Sequence, residues 1–157
     1  HLIPVAHGEV LVRLCSAALA AKRPTVVFAH AKRLNRCVSP AHHGYRVHLE
    51  ALSALAGKGD PDAKLDAMAE FGSKYRMECL EGAALWGLGT LHPGANGESY
   101  RARLLELIAD TGLVDPDRFF WSLLPIGDPP PRRGSPAAIW SDAAQSAAVL
   151  LSAERVG

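Results

Sequence analysis

The sequence predicts a helix-rich α+β domain, a single compact unit over residues 1–157 with a small sheet or isolated strands, with an all-α fold as the alternative. Three observations lead there. Apolar residues recur at helical spacing in several segments that carry their own start and stop signals. One short β-branched and aromatic run, Thr25 to Ala29, has the composition of a strand. The overall balance, 48% hydrophobic and 21% charged residues over 157 positions, is that of an ordinary globular domain. A chain of this length buries about 70% of the surface its unfolded form exposes, enough for a real core.

Glu9 to Lys22 places Val10, Leu11, Leu14, Cys15, Ala18 and Leu19 on one stripe, and Pro24 stops it. Thr25 to Ala29 then reads as a buried strand, with the basic AKRLNR stretch as a turn. Between Gly44 and Gly57, Val47, Leu49, Leu52 and Leu55 predict a helix that Gly57 and Gly59 end. Asp60-Pro61 predicts a helix start, because Asp accepts from free amides and Pro has no amide to lose; Gly72 is its expected terminator. Ser73 precedes KYRMECLEGAALWGLGTL, whose Met77, Leu80, Ala84, Leu85 and Leu88 predict a buried helix with weakening glycines at its far end. HPGANGE reads as a turn, and a helix from Glu98 or Ser99 carries Leu104, Leu105, Leu107 and Ile108 towards Gly112. Asp115-Pro116 opens a short aromatic helix with Phe119, Phe120 and Trp121. Residues 127–136 (GDPPPRRGSP) read as a proline-rich linker before an alanine-rich C-terminal helix reaching Glu154.

Charge and composition narrow the function. A formal net charge of +1 supplies no strong field, which argues against a nucleic-acid partner or an acidic membrane surface. No apolar run approaches the roughly 20 residues of a membrane helix. Three unclustered cysteines fit free thiols in the cytoplasm or another reducing compartment better than a disulfide framework. The opening HLIPVAHGE lacks the basic and cleavage features of a signal peptide, and His1 in place of Met suggests a piece of a longer chain.

The chemistry concentrates at Phe71 to Leu85, FGSKYRMECLEGAAL, where a cysteine falls near an expected helix start. Unpaired amides and the helix dipole favour a thiolate there, and Lys74 and Arg76 add positive charge, so Cys79 is expected to ionise below the free value of about 8.5. Glu78 opposes this unless it orients a histidine. This stretch, through Tyr75, Arg76, Glu78, Cys79, Gly82, Ala83 and Ala84, resembles the catalytic helix of bacterial protein-glutamine gamma-glutamyltransferases (transglutaminases) of the spore-coat type. The resemblance extends over Asp66 to Leu124. It implies a cysteine that attacks a glutamine side-chain amide, releases ammonia and passes the acyl group to lysine, with a histidine base and an acidic partner and with no cofactor.

Carried onto this chain, the resemblance makes Cys79 the nucleophile and Glu78 the acidic partner. The base does not carry over, because the family's histidine lies well downstream whereas the last histidine here is His92. Thirteen residues of helix would separate Cys79 from His92 by about 20 Å unless Gly87 or Gly89 broke the helix. The upstream cluster His42, His43 and His48 offers substitutes, with His43 taken as the candidate; an incomplete site or a non-catalytic relative are the other accounts. Cys37 with His42, His43 and His48 is the densest set of metal-ligand types, but without paired spacing it reads as surface and capping residues, and no metal is expected.

Two functions follow from different classes. One is cysteine-dependent acyl transfer on protein glutamine, cross-linking or deamidation, through a thioester at Cys79. The other is a non-catalytic helical protein-interaction module with Cys79 packed in its core. Either way the expected partner is a protein, as substrate or as binding partner.

Overall fold

The computed structural model describes residues 3–37 and 43–131, and every regular element among them is an α-helix. These are α1 (Ile3–Ala20), α2 (Pro24–Cys37), α3 (His43–Leu55), α4 (Pro61–Tyr75), α5 (Glu78–Leu91), α6 (Ala95–Ile108) and α7 (Pro116–Leu123). The α+β expectation with a small sheet is therefore overturned in favour of all-α. The error lies in one segment, since Thr25 to Ala29 is the opening of α2 rather than a strand. Pro24 both ends one helix and starts the next, at a position where its missing amide costs nothing. Once the run is helical, Val27 is fully buried and Val26 and Ala31 pack beside it against the core. A lone five-residue strand with no partner could not satisfy its backbone, so packing overrides local β-propensity.

Helix ends follow capping chemistry. Asp60 caps α4 by accepting from the amides of Asp62 (3.0 Å) and Ala63 (3.5 Å), with Pro61 in the first turn. Asp115 accepts from the Arg118 amide at 3.2 Å ahead of Pro116, as the sequence predicts. Gly57, at φ 100°, terminates α3. Gly72 does not terminate α4. The helix continues to Tyr75 and ends at Arg76, whose left-handed backbone (φ 54°, ψ 42°) directs its amide and the next to the carbonyls of Ser73 and Gly72. Ser73 consequently caps nothing, and α5 starts after Met77 with no side-chain cap.

Gly72 has a different task. A Cβ there would lie 2.5 Å from the Glu81 amide nitrogen, so the missing side chain lets the α4 and α5 backbones touch. Similarly α6 begins at Ala95, ahead of the expected Glu98 or Ser99, because Gly97 fits against the His92 carbonyl where no Cβ has room.

α5 is the central helix. Gly82 to Gly89 are all buried, with α4, α6 and α7 packed around them. α1, α2 and α3 form a second group, joined to the first through α3 against α4 and through α7, which touches both α5 and α1. The Phe120 ring lies on Gly82, where a Cβ would come within 2.7 Å of it, and Trp86 Nε1 donates to Asp117 at 3.0 Å. α7 is thus pinned as a strap across the two groups. One apolar cluster, from Leu11 through Leu52, Met68 and Leu85 to Leu124, runs through the described residues. No helix among them is long and apolar enough to cross a membrane. The second half of the proline-rich linker, from 132, and the expected C-terminal helix lie outside the described residues.

Candidate functional site

Where the two helix groups meet, they leave a groove of about 740 Å³. α1 contributes Glu9, Val12, Arg13 and Ser16; α3 contributes His43, Gly44, Tyr45 and His48. Phe71 and Tyr75 come from the end of α4, Met77, Cys79 and Leu80 from the start of α5, and Ser122 and Leu123 from the end of α7. The surface is mainly aromatic, aliphatic and thioether, and polar groups are few.

Several of these polar groups have identifiable roles. The carbonyl of Leu123, at the end of α7, receives Ser16 Oγ at 2.9 Å and His48 Nε2 at 3.0 Å. Because that carbonyl only accepts, His48 must carry its proton on Nε2. Burial lowers the His48 pKa below its ordinary 6.5, with the Leu123 carbonyl pulling the other way, so the ring is neutral at pH 7. The expectation of a surface histidine is corrected here, since His48 is only 5% exposed. At the rim Arg13 and Glu9 form an exposed i,i+4 pair at 3.2 Å. Phe71 and Tyr75 pack ring to ring at 4.6 Å between centroids, and His43 stacks on Phe71 at 6.4 Å with 10° between planes.

Cys79 is the second residue of α5 and is exposed, so it is neither deeper in the helix nor packed in the core. Its surroundings differ from those expected. Lys74 sits over the Tyr75 ring, 5.4 Å from its centroid, and Arg76 forms the α4 terminus. The cation that favours the Cys79 thiolate is Arg13, from α1. Desolvation against the apolar groove outweighs it and pushes the thiol up from 9.0, opposite to the expected direction. Cys15 is pushed further, to about 11, by burial alone, and its thiol points to the Val27 carbonyl at 3.8 Å.

Of the expected catalytic trio, the groove brings together Cys79 and His43 and leaves out Glu78, which is exposed on the first turn of α5. α5 is unbroken at Gly87 and Gly89, so His92 stays at the opposite end, paired with Asp62 at 3.1 Å. Among the described residues no group of three or more His, Cys, Asp or Glu could hold a metal ion. The side chains of Cys37 and His42 lie outside those described. Sequence reasoning missed Arg13, Ser16, Tyr45 and Phe71. Ser16 left a trace as a polar residue flanking the α1 stripe beside Cys15, and Phe71 as the first residue of the segment that carries Cys79.

No protein-family description, no curated protein and no solved structure matches this chain.

Proposed function

We propose that this domain is a non-catalytic binding module whose interhelical groove takes up an apolar small molecule. The observation that carries the reading is the groove itself: its volume of about 740 Å³ lies within the 300–1,000 Å³ typical of small-molecule sites, and it is mostly apolar with a few fixed polar groups. Tyr75 and Met77, 56% and 41% exposed, leave their apolar surface in water at its edge, so an occupant would remove that surface from solvent. Cys79 is exposed and lines the wall, which makes it a position where bulk can be added without cutting into the core.

Calorimetric titration with 4-butylphenol, a compact apolar probe, tests this. Cys79→Phe fills the groove and should abolish binding, whereas Leu105→Ser, on the exposed face of α6 away from the groove, should leave it unchanged. Equal binding to all three proteins would refute the reading.

A second reading, acyl transfer through a thioester at Cys79 with His43 as base, draws on one observation: both residues open on the same groove, with Cys79 in the first turn of α5. It requires a thiolate near neutral pH, and the thiol is displaced the other way. Release of ammonia from a glutamine peptide, lost in Cys79→Ser, would support this reading. No release would leave the binding module.

A further inference from the structure

The floor of the groove has an unusual balance of donors and acceptors. His48 Nε2 donates to Leu123 O, and the one Ser16 Oγ proton goes to Leu123 O at 2.9 Å or Val12 O at 3.2 Å, so both protons are committed within the protein. Ser122 Oγ donates to Phe119 O at 2.6 Å, so its proton is also committed. His48 Nδ1 is different. With Nε2 protonated and the ring neutral, Nδ1 is a bare acceptor. Its ring is 5% exposed and lines the groove. Among the described residues the one sealed side-chain nitrogen or oxygen without a partner is Trp121 Nε1, so Nδ1, which receives no hydrogen bond from the described residues, is not sealed, and the groove is the opening that His48 lines. At the rim, outside the buried floor, Arg13 is held by Glu9 in an exposed ion pair. The buried floor therefore offers an acceptor and no free cation.

On the reading of the groove as a small-molecule site, we infer that its ligand is an uncharged apolar molecule carrying one hydrogen-bond donor, a phenol or alcohol, which it aims at His48 Nδ1. A carboxylate is the wrong partner: it brings no proton, and the floor has no unpaired cation to meet it. A wholly apolar ligand would cover Nδ1 and leave it unpaired, which carries a penalty that a donor avoids.

The experiment compares 4-butylphenol with 4-butylanisole, which has nearly the same shape but no donor, by calorimetry and by the ¹⁵N signal of His48 Nδ1 at pH 7.5. The expected result is that the phenol binds about three- to tenfold tighter than the ether and shifts the Nδ1 signal, while the ether does not. Equal affinities, or a phenol preference with an unmoved Nδ1 signal, would overturn the inference and leave the groove as an apolar binding site. If neither compound binds, the inference and the reading beneath it fall together.

Discussion

The two ends of α5 are built on opposite plans. At its C-terminal end, glycines close the space: Gly87 meets Leu65 and Ile126, Gly89 meets Arg101 and Gly97, and Arg101 Nη2 donates to the Gly89 carbonyl at 2.6 Å. At its N-terminal end Met77 and Leu80 close on Gly44, where a Cβ would come within 3.1 Å of Met77 Cε, and beside that contact Met77, Cys79 and Leu80 line the groove. The difference shows how one helix serves as both core and wall. Small residues let backbones approach along the buried length of the helix, and the larger flexible side chains at its start pack on one side and border the groove on the other.

The contrast is broken first at the closed end. Gly97→Ala forces a Cβ into the His92 carbonyl, a backbone atom with little freedom to retreat, and should cost about 3 kcal/mol. Urea denaturation would register this as a lower midpoint at an unchanged slope. At the open end, Cys79→Phe should change stability by no more than about 0.5 kcal/mol, because an exposed side chain is replaced.

The strap over the groove gives a pH dependence. The His48 pKa is lowered from 6.5 in the folded protein, so as pH falls the unfolded chain takes up the proton first. The stabilisation is whole above about 6.5 and is lost as pH drops from there towards the folded value. Urea midpoints measured between pH 7.5 and pH 5 should fall, and His48→Gln should flatten the slope.

A separate effect is expected at the junction of α4 and α5. Arg76 holds a left-handed conformation that L side chains adopt at a cost, so Arg76→Gly should stabilise by about 1 kcal/mol in thermal melts. The change in stability at the rim is as small as that at Cys79. Arg13→Ala removes an exposed pair worth at most about 0.5 kcal/mol, yet it should raise the Cys79 thiol further, since Arg13 is the charge that lowers it. Iodoacetamide labelling against pH reads this directly. Cys79 should react in the folded protein with a midpoint above 9.0, later still in Arg13→Ala, whereas Cys15 should react only on unfolding.

What the sequence revealed was local. Asp60-Pro61 and Asp115-Pro116 carry their helix starts within a few residues, and both starts stand where the residues place them. Gly72 misleads because a glycine needed for close approach looks the same in a sequence as one needed for a turn; Glu81, nine positions on, decides between them. TVVFA misleads because β-branched residues also fill a helix face when a core lies opposite. The position of Cys79 near a helix start was legible. The direction of its ionisation was not, because the groove that desolvates it draws on residues from Glu9 to Leu123.

The central claim, that the open end of α5 is a binding site and the closed end is not, is tested most directly by methyl NMR during titration with 4-butylphenol. The account predicts saturable shifts at Val12, Met77, Leu80 and Leu123, with Leu65 and Leu88 unmoved. Shifts spread evenly over both sets, or none at the groove, would contradict it.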